Sequence, residues 1–339
     1  MHMTHDAGAL RWGVAGTGGI AHTFLEALKS TPSAQVTAVG SRTAERARAF
    51  ADTWGIPRAH GTYEDLADDP GVDAVYIAVP HPAHHPHTLA FLRAGKHVLV
   101  EKPMAMNAQQ ASEMVAAART QGRFLMEAMW TRFLPAYRLA RELVADGAIG
   151  PLRSLTAEFG FSAPYDPAHR LFDPALGGGA LLDVGVYPLA LASHFLGDLT
   201  VVGATRHLSP DHTVDTHTDV LVRGADGASA ALRCATRSAM PNRAVLVGEE
   251  GWLELDRSWA PTEVVLHRRG GEPEAFQRPW RANGYEYEAE EVARCVARGE
   301  LESPDMPWEE SLRLARLVDR IRDVAAFTDA QPEGSAPRS

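Results

Sequence analysis

Arg11-Trp-Gly-Val-Ala-Gly-Thr-Gly-Gly-Ile-Ala21 is the stretch on which the fold of this chain turns. Its first half is a short apolar run with strand character. Its second half, Gly16 to Ala21, reads G-x-G-x-x-A and opens a helix marked by Phe24, Leu25 and Leu28. Gly16 permits a tight turn, Gly18 lets the backbone approach a pyrophosphate, and small Ala21 lets helix and strand pack closely. Gly19 and Ile20 begin the helix, whose first N–H groups have no partner within it and carry partial positive charge suited to phosphates. A second strand, Gln35 to Val39, follows. Strand, glycine turn, helix and strand in this order predict a dinucleotide site on a parallel sheet.

The end of the second strand bears on which dinucleotide. An NAD site wants an acidic residue there, roughly 20 residues beyond the glycines, to bond the ribose hydroxyls. This chain has Gly40-Ser-Arg42 instead. A carboxylate would repel a 2′-phosphate, whereas the Ser41 hydroxyl and the Arg42 guanidinium can bind one. The expected cofactor is therefore NADP rather than NAD. The alternative is that Arg42 is a solvated residue at the start of a helix from Thr43 to Trp54.

Outward from there, strand and helix alternate. Asp73 to Val79 is a continuous apolar run of the kind a doubly covered parallel strand shows. His84 to Ala94 reads as helix, Lys96 to Glu101 as strand, Asn107 to Gln121 as helix and Phe124 to Met126 as strand. This is an α/β pattern: an N-terminal Rossmann domain with a doubly wound parallel sheet, placed at 9–128. Beyond it, Leu152 to Phe161, Val201 to His207, Asp219 to Arg223, Ala228 to Ala235, Ala244 to Gly248 and Val264 to His267 are β-rich and separated by Gly, Asp and Pro clusters. They predict a C-terminal α+β domain with a large, mostly antiparallel sheet at 129–329, closed by helices at Ala289 to Val296 and Glu309 to Val324. The polar tail 330–339 is expected to be disordered.

Composition narrows the function classes. At 339 residues, two domains are the natural expectation, and 45% hydrophobic with 22% charged residues is a globular balance. The net charge of −10 argues against a broad nucleic-acid footprint, so phosphate binding must be local. Cys234 and Cys295 stand far apart and form no metal-type pair, which suits free thiols in a reducing cytoplasm. No apolar stretch is read as long enough to span a membrane, and the N-terminal residues lack the layout of a signal peptide.

Two further segments carry chemistry. Glu101-Lys102-Pro103 ends the run His97 to Val100, and Pro103 stops that strand. A lysine released there stands at the edge where open α/β sheets bind ligands, although Lys-Pro at a strand end also occurs as a solvated turn. Gly177-Gly-Gly-Ala-Leu-Leu-Asp-Val-Gly-Val-Tyr187 begins with a flexible glycine turn and enters a helix, on which Asp183 and Tyr187 are four apart and share a face. A phenol, with an ordinary pKa of about 10, can exchange a proton with an alcohol if a cation stabilises the phenolate. Lys102 is the candidate cation. The alternative for Tyr187 is a core aromatic with a satisfied hydroxyl. His81, His84, His85 and His87 invite a zinc reading. Pro82 and Pro86 break any common helical face, however, and no cysteine or paired carboxylate completes a shell, so no metal is expected.

With these segments in view, the chain resembles the glucose-fructose oxidoreductase, inositol dehydrogenase and rhizopine catabolism (Gfo/Idh/MocA) family from Gly13 to about Phe327. The specific stretches are His81-Pro-Ala-His84, Ala94 to Pro103, Phe124 to Phe133, Gly177 to Tyr187 and Ala260 to Val264. Many members place histidine where this chain has Tyr187. The tyrosine is similar to the dihydrodiol dehydrogenase branch, which also contains NADP-dependent D-xylose dehydrogenases. The resemblance implies hydride exchange between the nicotinamide and a carbinol carbon of a sugar, polyol or trans-dihydrodiol. Lys102, Tyr187 and Asp183 would be catalytic. Gly16, Gly18, Gly19, Ile20, Ser41, Arg42, His81, His84, Glu101 and Lys102 would line the cofactor, and Trp130, Phe159 and Trp280 would add an apolar wall for the substrate. Arg153 and Arg206 are read as surface ion-pair residues, the alternative being that they hold substrate oxygens. Other readings are an NADPH-dependent ketosugar reductase, acting on 1,5-anhydrofructose or a nucleotide-linked deoxysugar, and a non-catalytic NADP-binding sensor. A homodimer or higher homo-oligomer is expected.

Overall fold

The computed structural model describes residues 9–327, so the expected disordered tail lies outside the described residues. The chain divides into two compact units. Of the described residues, the first takes 9–145 together with Ala260–Val264 and Ala275–Arg316, and the second takes Asp146–Trp259, Val265–Glu274 and 317–327. This departs from the linear division at 128/129. The C-terminal stretch returns to the first unit, where the helix beginning at Glu286 packs on the helix that follows the glycine turn.

In the first unit β1 (Leu10–Ala15), β2 (Ala34–Gly40), β3 (Arg58–His60), β4 (Ala74–Ile77), β5 (His97–Glu101) and β6 (Leu125–Ala128) form a parallel sheet in the order β3-β2-β1-β4-β5-β6. Helices α1 (Gly19–Leu28), α2 (Ala44–Trp54), α3 (Tyr63–Ala67), α4 (His84–Arg93) and α5 (Ala108–Gln121) make the crossovers. The order reverses between β1 and β4, the switch point at which such sheets bind nucleotides. Every position of β4 and β6 is buried, as expected for strands covered on both faces. Phe24 of α1 stacks on Tyr76 of β4 with ring centroids 3.8 Å apart and meets Trp12 of β1 edge-on at 5.6 Å. That contact seats the glycine turn. Gly16 has φ +113°, and a Cβ there would lie 2.5 Å from the Ala78 carbonyl oxygen, so a side chain cannot be built without moving a strand. β3, with three residues of which none is buried, carried no readable period.

A 3₁₀ turn at Trp130–Phe133 leads into α6 (Pro135–Ala145), which the sequence reading did not single out. Then follow β7 (Leu152–Gly160), α7 (Val186–Leu196), β8 (Leu199–Leu208), β9 (Asp215–Gly224), β10 (Ser229–Ala235), β11 (Ala244–Gly248), β12 (Gly251–Leu255), β13 (Glu263–Arg268), β14 (Glu274–Gln277), α8 (Glu286–Ala297), α9 (Trp308–Val324) and β15 (Ala326–Phe327). The nine strands pair in the order β14-β13-β12-β11-β7-β10-β9-β8-β15. β10 with β7 and β15 with β8 are parallel, while β9 with β8 and β10, and β11 with β7 and β12, are antiparallel. Burial alternates along β9 and β10, and α7 covers one face of the sheet. Leu221, Val247 and Trp252 stand exposed on the other.

One sequence expectation is corrected here. The helical stretch Pro174–Leu196 is long and apolar enough to cross a membrane, with mean hydropathy 1.5. Because 83% of its most apolar window is buried inside the protein, it is a core segment of the second unit.

Candidate active site

The glycine turn delivers α1 with its N-terminus open. Gly18 caps the helix without a side-chain bond, and no acidic residue stands in the first turn. A Cβ at Gly18 or at Gly19 would meet nothing within 4 Å, so a ligand can reach this backbone. Ile20 is half-buried beside it. At the end of β2, Ser41 is buried and its N–H donates to the His60 carbonyl at 3.1 Å. Arg42 is exposed, one residue before Thr43, whose hydroxyl accepts from the Arg46 N–H at 3.3 Å and caps α2. Arg46 is also exposed. Burial raises the pKa of Tyr63 on α3, and the charges of Arg42 and Arg46 oppose that rise, so two guanidiniums bear on one spot at this helix end. Sequence reading missed Arg46, although its signal, a second arginine one turn after Arg42, was present.

Lys102 is half-buried, and side chains withdrawn from water hold the backbone around it. Its own N–H donates to Glu101 Oε2 at 3.2 Å, and the Tyr76 hydroxyl donates to Glu101 Oε1. The next carbonyl, of Pro103, lies 2.8 Å from His84 Nδ1, while His84 Nε2 lies 3.0 Å from the Val79 carbonyl. The next N–H, of Met104, donates to Glu127 Oε1 at 2.8 Å. Glu101 is 6% exposed, Glu127 3% and His84 0%. Burial pushes the His84 imidazole down to about 4, against the pull of its two carbonyl contacts. At neutral pH the ring carries one proton, which it can donate to only one of these two carbonyls, and it packs between the end of β4 and the loop after β5. The Lys102–Pro103 peptide is cis.

In the second unit, the glycine run makes close backbone approach possible. Gly178 N–H donates to the Asp173 carbonyl at 3.0 Å and Gly179 N–H to the Leu171 carbonyl at 2.9 Å. Asp215, which the sequence reading did not mark, accepts from the Leu181 N–H and from the Thr218 hydroxyl, each at 2.8 Å. A Cβ at Gly179 would come within 2.5 Å of that carboxylate. The following turn, Leu181–Gly185, is π-helical and runs into α7. Asp183 is 5% exposed and pairs with Arg170 at 2.8 Å. Tyr187, 6% exposed, packs against Phe159 at 5.6 Å between ring centroids, and Phe159 stacks on Trp259 at 4.6 Å.

Comparison with known proteins places this geometry. Residues 10–129 match the Gfo/Idh/MocA model described as an oxidoreductase family with an NAD-binding Rossmann fold, and residues 137–254 match the Gfo/Idh/MocA C-terminal domain. The chain belongs to the Gfo/Idh/MocA family. It is a nicotinamide-dependent oxidoreductase. It is 41% identical to the trans-1,2-dihydrobenzene-1,2-diol dehydrogenase of Mus musculus, over 95% of this chain and 99% of that one. It is 38% identical to the enzyme of the same name from Homo sapiens over the same shares. Among solved structures, the 3-ketoreductase of Actinomadura kijaniata in complex with NADP and TDP-benzene has a TM-score of 0.85 at 34% identity, covering 94% of this chain and 98% of that one. The aldose-aldose oxidoreductase of Caulobacter crescentus, complexed with glycerol, also has a TM-score of 0.85, at 29% identity over 93% of this chain and 97% of that one.

Within this Gfo/Idh/MocA member the expected residues fall into separate groups. The first unit carries Gly16, Gly18, Gly19, Ile20, Ser41, Arg42, His81, His84, Glu101 and Lys102, and the second carries Phe159, Asp183 and Tyr187. Trp130 and Trp280 stay together in the first unit, 5.9 Å apart, and Tyr285, unmarked from sequence, stacks on Trp130 at 4.5 Å. The expected wall residues belong to an aromatic cluster in each unit, Trp130–Trp280–Tyr285 in the first and Phe159–Tyr187–Trp259 in the second. The histidines part company as well: His81 meets the ring of His84, His85 pairs with Glu113 at 2.7 Å, and His87 packs on Tyr63. Among the described residues, no group of three or more His, Cys, Asp or Glu could hold a metal ion. Arg153 pairs with Glu249, and Arg206 donates to the Arg322 carbonyl at 3.3 Å.

Glu127 yields a stability test. Burial lifts its pKa from 4.5 to about 7. An acid whose folded pKa lies above its unfolded one favours the folded state most below the unfolded pKa, and that contribution is lost as pH climbs from about 4.5 through 7. Glu127→Gln keeps an oxygen for the Met104 N–H and cannot ionise. Urea unfolding should therefore show the difference between variant and wild type moving in the variant's favour by roughly 2–3 kcal/mol from pH 5 to pH 8. A difference that does not change with pH would show that Glu127 does not titrate in this range.

Proposed function

We propose that this protein transfers hydride between NADP and a carbinol carbon of a sugar, polyol or trans-dihydrodiol, with Tyr187 exchanging the hydroxyl proton and Lys102 as its electrostatic partner. The observation that carries the reading is the fixing of Lys102. Three buried side chains hold backbone groups of Lys102, Pro103 and Met104 around one half-buried lysine, in the same parallel sheet whose first strand leads to a helix N-terminus open to phosphate. A surface turn has no use for that arrangement. The names of the relatives, a dihydrodiol dehydrogenase and an NADP-bound ketoreductase, point the same way.

Nicotinamide, when bound, supplies the hydride chemistry. The glycine turn and the N-terminus of α1 fit its pyrophosphate, and Ser41 and Arg42, with Arg46 beside them, fit a 2′-phosphate. Glu101 and His84 act on the cofactor edge through the backbone they hold, and His81 lies next to them. Tyr187 packs on Phe159, an aromatic partner that orients the ring whose hydroxyl would move the proton. Asp183 orients substrate hydroxyls while paired to Arg170. Trp130 and Trp280 offer apolar area to a ring face. The reductive direction, on a ketosugar, is the second reading, favoured by likeness to the 3-ketoreductase. Two buried free thiols suit the cytoplasm. The uncovered sheet face bearing Leu221, Val247 and Trp252 suits a second copy of this chain.

Mixing the protein with NADP⁺ and a panel of aldopyranoses and trans-dihydrodiols, and with NADPH and keto sugars, should give turnover followed by cofactor fluorescence. Tight NADP binding without turnover of any of them would sink the enzymatic reading of this site. Tyr187→Phe should lower hydride transfer by about 10² or more while NADP affinity is kept; retention of most turnover would remove the proton role. Arg42→Ala should weaken NADP about ten- to a hundredfold, the worth of one hydrogen bond to a charged group, with little change for NAD. Equal losses for both would end the 2′-phosphate argument. Sedimentation should find a dimer that Leu221→Asp with Val247→Asp turns into a monomer, and an unchanged mass would place the subunit contact elsewhere.

A further inference from the structure

Glu288 is the one carboxyl of α8 that the structure leaves without a job. Glu286 accepts from the N–H groups of Ala282, Asn283 and Gly284. Glu290 pairs with Arg281 and Glu291 with Arg294. Glu288 has 0% exposure, and neither of its oxygens meets a hydrogen-bond partner. Helix α8 packs against α1, β2 and the turn at Trp130–Phe133. None of these offers it a counter-charge. β2 carries no titratable side chain, His22 and Glu26 of α1 are engaged with Trp54 and Lys29, and Arg132 of the turn pairs with Glu310. What does bear on Glu288 is Glu101, whose charge adds to burial in pushing its pKa well up, and both carboxyls raise that of Tyr76, which Tyr285 raises further.

Two buried carboxyls that act on each other cannot both ionise at modest cost. The hydrogen bonds decide which one does. Glu101 accepts from the Tyr76 hydroxyl and from the Lys102 N–H, and both bonds favour its charged form; Glu288 accepts none. We propose that Tyr76, Glu101 and Glu288 form a buried acid cluster that holds one proton on Glu288 and one negative charge on Glu101, directly behind Lys102. Glu288 is then a positioning residue. Kept neutral, it lets Glu101 remain the acceptor for the Lys102 backbone and the counter-charge beside the lysine, and its ionisation would place a second charge there and force the cluster apart. The importance of the cluster rests on the reading of Lys102 as the site lysine; its charge arrangement does not.

The test is infrared titration of the full chain, following the carbonyl stretch of protonated carboxylic acid in spectra of wild type minus E288Q, which cancel the contribution of Glu127. Wild type should show this band at pH 7, and the band should titrate only at higher pH. In E101Q, where the neighbouring charge is gone, the Glu288 band should titrate about one pH unit or more lower, and pH-dependent acetylation of Lys102, read by mass spectrometry, should shift down by a similar amount. A buried glutamic acid with a merely structural role would keep its midpoint in E101Q. That result, or the absence of the band from wild type at pH 7, overturns the proposal. Should E288Q fail to fold, E127Q and the double variant E127Q/E101Q, each read against its own high-pH spectrum, give the same comparison of midpoints without the Glu127 band. Because neither readout needs turnover, a protein that shows the band and its shift yet reduces nothing would keep the cluster and lose the catalytic reading.

Discussion

Burial of polar side chains beneath the Lys102 loop is the constraint on which the rest of the first unit depends. A carboxylate or imidazole withdrawn from water loses several kcal/mol of hydration unless its partners replace what was lost. Here the partners are backbone groups of the loop itself: the Lys102 N–H for Glu101, the Pro103 carbonyl for His84 and the Met104 N–H for Glu127. The loop and the buried groups therefore hold each other. If the loop moved, it would strand three polar groups in the core, so Lys102 is presented from a backbone with few alternatives. The strands matter for the same reason: β4 and β5, buried along most of their length, supply Tyr76 and Glu101 from neighbouring positions across one ladder.

Pre-organisation takes another form in the second unit. The glycine run lets backbone meet backbone at Leu171 and Asp173, and the Asp215 carboxylate closes the start of the π turn. A π turn followed at once by α-helix sends Asp183 and Tyr187 out of one short stretch, and each finds a fixed neighbour, Arg170 for the acid and Phe159 for the phenol. Single-turn π segments are rare and occur often at functional sites, because the extra residue per turn reorients side chains that a regular helix would align. A spacing of four predicts a shared face on an α-helix, whereas Asp183 stands in a π turn and Tyr187 in the α-helix that follows it.

What sequence made legible follows the range of the forces involved. Gly16 to Ala21, the buried strands and the capping Thr43 and Asn107 are local, and their signals stand in adjacent residues. A parallel sheet follows from repeated βα units with crossovers of one hand, and the structure supplies its order, β3-β2-β1-β4-β5-β6. By contrast, Glu127, Asp215, Tyr285 and Glu288 act on residues far from them in the chain, and nothing local distinguishes a glutamate that will be buried from one that will be solvated. The discontinuous first unit was hidden for the same reason, since the return of residues 275–316 depends on contacts such as α8 on α1 rather than on composition. The apolar stretch before Leu196 shows the converse: composition matched a membrane span, and packing made it a core.

The two histidine and arginine neighbourhoods of the first unit show how the same residue types separate by burial. His84, with no exposed surface, is driven neutral and serves as a strut, while His85, near the surface, stays beside Glu113 as an ordinary polar contact. Arg132 is 6% exposed and locked to Glu310, whereas Arg42 and Arg46 are exposed at the start of α2. An exposed arginine pair in a chain of net charge −10 is a local exception to the surrounding field, and at a helix N-terminus it adds full positive charges to the helix's partial one. That combination attracts a dianion far more than a hydroxyl. Under the proposed function, the sign of the local field rather than the fold is what would favour NADP over NAD at the end of β2.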